Sequence, residues 1–405
     1  MASRQAFRKA WWQVHKWGGL LLMALLIPLG LSGVVLAWDD AIDHALNPQR
    51  YAVSGTPALA PAAYAQAALK AIHPDERVQT LRYPDGEGPM LVTAIRGPTG
   101  QGAGQGKPGG DAQAAGAKKH GGKHDGRNAG PGGKPARISL WLDPATGRVL
   151  DIDRDNSGLV RFAHNFHGNL FITMPAIGRA LIGVLGIVMF LMAVGGIWLW
   201  WPPVGKWVKG LRWQRGDRKL DTNLHHRIGF WMALPLALQA FTGVWIAWPQ
   251  MLVAVGLAPA KPGQGMDRSR MIPAADTHLT ADQALGAAIA SRPGSHPLTI
   301  AWPTGDKAQW RVAVTTPTGP AEMMVDDGDA SVTPAKAREG GLAATMRHIH
   351  DGTLIGSGWR MLLVLLGLTP MLLGVTGLLM WLRGRRWRAA ATRRQRGSRE
   401  PVAAA

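Results

Sequence analysis

A histidine precedes each of the four long apolar stretches in this chain of 405 residues. The first and third stretches follow His15 in VHKWGG and the doublet His225 and His226 in LHHRIG, and the second and fourth follow His164 and His167 in HNFHGNL and His348 and His350 in HIHDGTL. An imidazole nitrogen binds iron, copper or zinc and also exchanges protons near neutral pH. A lone histidine here would usually be an interfacial or helix-capping residue, whereas a repeated arrangement favours a ligand role.

Two bis-imidazole pairs follow from this placement, His15 with His225 at one rim and His167 with His350 at the other. Zinc sites use three or four protein ligands, and the apolar stretches contain no Cys, Asp or Glu that could complete one. Haem iron takes two axial ligands, and helix bundles hold cofactors in this way. The pairs therefore predict two b-type haems with these four histidines as iron ligands, and no catalytic side chain.

Each motif leaves a second choice of ligand open. His164 and His348 are the alternatives to His167 and His350, which we prefer because they directly precede GNL and DGTL. His226 is the alternative to His225, which an internal offset of 210 residues aligns with His15. The chain has no cysteine, which excludes disulfides, thiolate metal sites and covalently attached haem.

Four glycines share a helix face with His15 or His225, the predicted ligands of the inner pair. Gly19 and Gly229 each follow a histidine by four residues, and Gly33 and Gly243 follow by eighteen, so that all lie on the ligand face. A glycine lets a flat porphyrin approach the backbone, so the first two are expected beside one haem and the second two beside the other. Glycines in membrane helices also serve helix packing.

Four uncharged windows must position these residues, at 17–38, 180–205, 228–260 and 361–382. Each is long enough to span a bilayer, which takes about 20 apolar residues. The first is not expected to be a cleaved signal peptide, because its apolar run is long and acidic residues follow it. The sequence therefore predicts a multi-pass membrane protein.

Basic residues set the expected orientation. They concentrate at residues 4–16, 206–219 and 383–399, which lie on one side of the membrane if the chain crosses it four times. The positive-inside rule makes that side cytoplasmic. The net charge of +19 is thus a topology signal, and nucleic acid is not an expected partner.

The two segments between spans have the same pattern, one predicted helix followed by alternating strands. The helices are expected at 57–73 and 279–290, the second with Thr280 and Asp282 as cap residues. The Gly-rich stretch that interrupts the first segment cannot form a core and is expected to be a disordered loop, in which a weak metal site at His120 and His124 is left open.

The spans repeat as well. The offset of 210 residues also aligns SGVVLAW with TGVWIAW, and an offset of 181 aligns Gly186 with Gly367 and Gly196 with Gly377. The predicted fold class is therefore a mainly α membrane protein, a four-helix transmembrane bundle with two small α+β extracytoplasmic domains, built as an internal twofold repeat.

Its predicted parts are a basic N-terminus (1–16), the first span (17–38), the first domain (39–163, insertion at 98–135), an outer histidine motif with the second span (164–203), a basic hairpin (204–224), the third span (225–250), the second domain (251–347), an outer histidine motif with the fourth span (348–382) and a basic tail (383–405).

The motifs HKWGGL, LHHRIG, FHGNL and HDGTL, together with the SG or TG dipeptides near span ends, resemble the PepSY-associated transmembrane family of bacterial inner-membrane proteins. The two α+β segments resemble PepSY domains. The resemblance implies two haems with histidine axial ligands and the reduction of ferric siderophores in iron acquisition. It places the protein in the bacterial inner membrane, with both termini cytoplasmic and the PepSY-like domains periplasmic.

No dinucleotide-binding fingerprint is present, so electrons would come from a separate cytoplasmic or quinol donor. The expected acceptor is a ferric siderophore or another oxidised periplasmic compound. The alternative function is a membrane-anchored regulator or protein-binding module related to peptidases, without redox activity. The placement of the histidines separates the two, because a regulator has no need of imidazole pairs.

Overall fold

The computed structural model describes residues 2–96, 137–154, 158–200, 219–254, 256, 272–274, 276–304, 308–317, 319–335, 342–353 and 356–397. The predicted insertion at 98–135, with His120 and His124, lies outside these residues, and so does 201–218 of the basic hairpin. The chain divides into two compact units. One comprises Met1–Asp43, Gly158–Lys261 and Arg338–Ala405, and the other comprises His44–Ser157 and Pro262–Ala337.

The elements follow one another in this order. The helices are α1 (Ala2–Ala37), α2 (Asp39–Leu46), α3 (Pro61–Ala71), α4 (Leu159–Asn169), α5 (Pro175–Trp200), α6 (Leu220–Ala247), α7 (Pro249–Ala254), α8 (Ala281–Ser291), α9 (Leu342–Asp351) and α10 (Ser357–Gly397), with a 3-10 turn at Pro48–Tyr51. The strands are β1 (Glu76–Arg82), β2 (Met90–Arg96), β3 (Arg137–Leu142), β4 (Val149–Asp153), β5 (His296–Ala301), β6 (Gln309–Thr316), β7 (Gly319–Asp326) and β8 (Val332–Pro334).

The prediction of four spans is confirmed. Within the described residues, four helices are long and apolar enough to cross a membrane, Gln5–Ala37, Pro175–Trp200, Leu220–Ala247 and Ser357–Thr392. Helix α1 packs against α5 and α10, and α6 packs against the same two helices. The four spans therefore form a bundle in which α1 and α6, the helices that carry His15 and His225, lie on a diagonal.

The third span is shorter than its predicted window of 228–260. Helix α6 ends at Ala247, and Trp248 leaves the helical conformation with φ −124° and ψ 59°. Pro249 explains this end, because a proline has no N–H and disfavours helical backbone at the residue before it. Three other prolines remain inside span helices, Pro28, Pro235 and Pro370.

The outer histidines, which were predicted to precede spans two and four, lie on short separate helices. His167 is on α4 and His350 on α9. Left-handed backbone after each short helix separates it from the following span, at Leu170 and Phe171 (φ 54° and 59°) in the first case and at Gly352 (φ 81°) in the second. These turns leave each short helix free to take its own direction.

The strands form one antiparallel sheet, where the sequence predicted two small domains. Its order is β4-β3-β2-β1-β5-β6-β7-β8. Strand β1 of the first segment pairs with β5 of the second, with Thr80 opposite Ala301 and Leu81 opposite Ile300. Leu81 and Ile300 are fully buried, so the two segments share one core.

Helices α3 and α8 contact each other and complete this core. The predicted cap at Thr280 is confirmed, because its hydroxyl accepts from the Gln283 N–H and the Gln283 side chain accepts from the Thr280 N–H. Asp282 has a different role from the one expected. Its carboxylate accepts from the N–H of Ala62, at the N-terminus of α3, and so links the two helices.

Two buried carboxylates brace the ends of β3 and β7. Asp143 accepts from the N–H and hydroxyl of Ser54 at 2.7 and 2.6 Å. Asp327 accepts from the N–H of His278 at 2.8 Å and from the indole N–H of Trp310 at 2.7 Å. Desolvation by burial acts to raise the pKa of each carboxyl. The hydrogen bonds outweigh it, so that the pKa of Asp327 is lowered and the pKa of Asp143 is lowered to about 2.

We expect acid to destabilise the sheet unit, the compact unit of His44–Ser157 and Pro262–Ala337 that contains the sheet. An unfolded Asp has a pKa of about 3.9, so the stabilisation from a lowered folded pKa is present above that pH and is lost as the pH falls towards 2. Hydrogen exchange of the full-length protein in detergent, corrected for intrinsic rates, should show falling opening free energies in β3 and β7 below about pH 4. Asp143→Asn should flatten this dependence. Opening free energies that rise with acid would contradict the argument.

Candidate functional site

The predicted outer pair is brought together. The ring centroids of His167 and His350 lie 6.2 Å apart, with an angle of 55° between the ring planes. Two imidazoles that share one metal ion, each through a metal–nitrogen bond of about 2 Å, have their ring centroids roughly 6 Å apart. The separation of the two rings therefore fits two imidazoles that would bind one metal ion from opposite sides.

A hydroxyl and a carbonyl hold Nδ1 of His167. That nitrogen lies 3.0 Å from Ser32 Oγ and 3.0 Å from the carbonyl oxygen of Leu29, both on α1. A carbonyl oxygen only accepts, so Nδ1 carries the hydrogen. Nε2, on the opposite edge of the ring, then has the lone pair that a metal requires.

His350 is held in a similar way by α6. Its Nδ1 lies 3.0 Å from Thr242 Oγ1, whose own hydrogen is donated to the Gln239 carbonyl at 2.9 Å. The side-chain amide nitrogen of Gln239 is 3.2 Å from the same Nδ1 and donates to the His350 carbonyl at 3.0 Å. Burial lowers the pKa of His350 to about 4 and also lowers the pKa of His167, so both rings are neutral at pH 7.

The alternative outer histidines are placed elsewhere. His164 and His348 are exposed, whereas His167 and His350 are partly buried. His348 contacts the Thr353 hydroxyl at 2.7 Å through Nδ1. Of the two choices in each motif, the preferred residue is the one that faces its counterpart.

The inner histidines do not touch one another. His15 and His225 lie on the diagonal helices α1 and α6, and their rings form no direct contact within the described residues. Nδ1 of His225 lies 3.0 Å from Thr376 Oγ1 on α10. Nδ1 of His226 instead donates to the Thr222 carbonyl of its own helix at 2.7 Å. The preferred residue is thus again the one held by a hydroxyl from another helix.

His15 differs from the other three. Its Nδ1 is buried and has no hydrogen-bond partner in the part of the chain that the structure describes. No described group therefore fixes which ring nitrogen of His15 carries the hydrogen.

The glycines divide into two kinds. A Cβ added to Gly33 or Gly243 would lie 3.2 Å from Cε1 of His167 or 3.1 Å from Cε1 of His350. These glycines, expected beside a porphyrin, therefore make room for the imidazoles themselves. A Cβ at Gly19 would meet no described atom within 4 Å, and one at Gly229 only a leucine methyl at 3.8 Å, so both leave open surface beside the inner histidines.

Sequence reasoning missed Ser32, Thr242 and Thr376, whose hydroxyls contact Nδ1 of a histidine, and Gln239, which donates to the His350 carbonyl. A signal for three of them was present in the SG and TG dipeptides near the span ends. The first residue of each dipeptide contacts Nδ1 of a histidine, and the glycine packs against Cε1 of the same ring. The dipeptide is therefore a seat for an imidazole.

The donor set also restricts the kind of metal site. Within the described residues, no three His, Cys, Asp or Glu side chains converge as a metal cluster would require. Sites built from two imidazoles suit iron that takes its remaining ligands from a macrocycle.

Comparison with known proteins agrees with the membrane architecture. No curated protein matches this sequence. The family model described as the PepSY-associated TM region matches residues 12–384, which includes the second and third spans, most of the first and fourth, and all seven span-flanking histidines. The chain belongs to the PepSY-associated transmembrane family.

Proposed function

We propose that this protein is a di-haem, b-type electron-transfer protein of the bacterial inner membrane. His15 and His225 would be the axial ligands of one haem, and His167 and His350 those of the other. The observation that carries the proposal is the outer pair, two neutral imidazoles 6.2 Å apart with Nδ1 of each anchored on a different helix.

Bound haem supplies reversible one-electron chemistry. The chain orients the ligands, because the hydroxyls of Ser32, Thr242 and Thr376 direct Nδ1 away from the metal position. The bundle sets the spacing, because Gly33 follows His15 by eighteen residues on α1, about 27 Å at 1.5 Å per residue. Two sites so spaced would lie near the two faces of a bilayer core of about 30 Å, so an electron passing between them would cross the membrane.

We infer that both termini are cytoplasmic and that the sheet unit is periplasmic. The basic residues Arg8, Lys9 and Lys16 lie in α1 before its apolar part, and Arg383, Arg385 and Arg386 lie in the last helix beyond its apolar part. The positive-inside rule assigns these residues to the cytoplasm. The site at His15 and His225 then faces the cytoplasm, and the site at His167 and His350 faces the periplasm.

The proposed twofold repeat is supported by matching contacts. Gly186 on α5 packs against Val244 on α6, and its counterpart Gly367 on α10 packs against Val34 on α1. Asp143 and Asp327 also occupy equivalent positions, one after β3 and one after β7. Each half would thus contribute one ligand to each haem.

The proposed reaction passes an electron from a cytoplasmic or quinol donor to a periplasmic acceptor. The acceptor class we favour is ferric iron in a siderophore, which the family resemblance implies. Reduction to the ferrous ion weakens chelation by hard oxygen ligands and releases the metal. The protein would then be a ferric-siderophore reductase.

The first test is the colour of the protein purified from haem-replete cells. We expect a low-spin b-type absorption spectrum and two haems per chain by the pyridine haemochrome assay. A colourless preparation would reject the proposal and favour the peptidase-related regulator. The acceptor is tested separately in proteoliposomes, where the dithionite-reduced protein should be reoxidised by a ferric hydroxamate with formation of ferrous iron, and not by the gallium complex.

A further inference from the structure

Four two-residue seats each receive one of the four proposed ligands. Ser32 and Gly33 contact His167, Thr242 and Gly243 contact His350, and Thr376 and Gly377 contact His225. The fourth seat is Gly195 and Gly196, where Gly196 lies against Cε1 of His15. The glycine that packs on the ring is present in all four seats, but the hydroxyl is present in three.

The hydroxyls of the three complete seats act as acceptors towards the imidazoles. Ser32 donates its hydrogen to the Leu29 carbonyl at 2.8 Å, Thr242 to Gln239 at 2.9 Å and Thr376 to Leu372 at 2.6 Å. With its only hydrogen used, each oxygen presents lone pairs to Nδ1. The seat therefore selects the tautomer with hydrogen on Nδ1 and leaves Nε2 unprotonated.

The fourth seat has a different environment. An added Cβ at Gly195 would collide with the indole of Trp11, one turn before His15 on α1. The indole Nε1 of Trp11 and Nδ1 of His15 are both buried without a hydrogen-bond partner in the described part of the chain. The aromatic ring thus occupies the place where a seat hydroxyl would be, and no group among the described residues selects the tautomer of His15.

We propose that Ser32, Thr242 and Thr376 are positioning residues that fix the ligand tautomer, and that His15, which lacks such a residue, is the exchangeable ligand of the inner site. The proposal rests on the proposed haem function. It predicts that a small exogenous ligand, such as cyanide or imidazole, binds the inner haem in place of His15. A hydrogen bond to Nδ1–H strengthens the imidazole as a donor, so the unsupported His15 is the ligand that a competitor displaces first.

The tautomers can be tested without haem. Full-length protein labelled with 15N-histidine and produced under haem depletion should give Nδ1–H signals for His167, His350 and His225, assigned by histidine-to-alanine difference spectra. His15 should give the shifts of a tautomer mixture. An Nδ1–H form of His15 as pure as that of His225 would overturn the proposal, and so would an Nε2–H form of His225.

Ligand exchange is tested on the haem-loaded protein. Cyanide should convert one haem per chain, and His167→Ala, which is expected to keep only the inner haem, should still bind cyanide. Thr376→Val should raise the cyanide affinity of the inner haem by about 10–100-fold, the factor by which the loss of such an outer hydrogen bond usually weakens metal binding, and should raise its reduction potential. Thr369→Val is the matched control, because Thr369 is a buried threonine on the same helix that donates to Leu365 and contacts none of the four histidines.

The outcomes separate the two proposals. Cyanide binding at the outer haem first, or equal effects of Thr376→Val and Thr369→Val, would overturn the role of the seats while leaving the haem function intact. A protein that binds no haem would reject the proposed function, and the tautomers of the haem-free protein would still decide whether the seats orient their histidines.

Discussion

Replacing His167 or His350 by alanine is expected to remove one haem and to leave the other bound, so that haem content falls by half. Each substitution deletes one of the two proposed ligands of a haem and leaves the hydroxyl of Ser32 or Thr242 without its imidazole partner. A haem left with one histidine would be held more weakly and would be lost during purification. The haem content of the purified variants and the low-spin signals in electron paramagnetic resonance measure the loss.

His164→Ala and His348→Ala are the matched controls, because they remove exposed rings from the same motifs and the same short helices. Both should retain the full haem content. His15→Ala and His225→Ala should remove the other haem, so that a variant lacking both His15 and His167 binds none. Full retention of both haems in the four ligand variants would refute the ligand assignment, and loss in the controls alone would transfer it to His164 and His348.

Replacing Gly367 by leucine should separate α1 from α10 and unfold the bundle at a much lower temperature. A Cβ at Gly367 would lie 2.6 Å from a Val34 methyl and 2.7 Å from the Gly30 carbonyl oxygen, and a Cβ at Gly30 would collide with the Gly367 carbonyl. Backbone atoms cannot rotate away as a side chain does. Overpacking a tight site costs about 1–3 kcal/mol and sometimes more, and contact with backbone on both sides places this site at the upper end.

The effect is measured as the midpoint of thermal unfolding in detergent, followed by size-exclusion chromatography. Gly358→Leu is the control on the same helix, since an added Cβ there meets no described atom within 4 Å. The control should unfold close to the wild type. An unchanged midpoint for Gly367→Leu would show that α1 and α10 do not cross closely in solution.

The sequence was sufficient for features that depend on local pattern. Apolar runs predicted the spans, alternation predicted the strands β1 to β7, and Thr280 as a cap residue predicted the start of α8. It also brought out His167 and His350, because a repeated motif identified equivalent positions. These signals lie within a few turns of chain, where periodicity and capping chemistry are strong.

Features that depend on distant parts of the chain escaped prediction. Strand β1 pairs with β5 through buried residues such as Leu81 and Ile300. Any two amphipathic strands present such residues, so the sequence pattern does not identify which strand is the partner. The role of Gly33 needed the direction of α4, which the backbone at Leu170 and Phe171 determines. The short strand β8 has three residues, too few for a periodic pattern to be read.

The pairing of β1 with β5 has a consequence for biosynthesis. Thr80 and Ala301 are neighbours in the sheet, yet more than two hundred residues and two membrane crossings separate them along the chain. A ribosome delivers the first strand long before its partner, and loop closure over that distance is slow. The nascent half-sheet must therefore wait with an open edge, a state prone to aggregation, and the cell has to protect it until translation of the second half is complete.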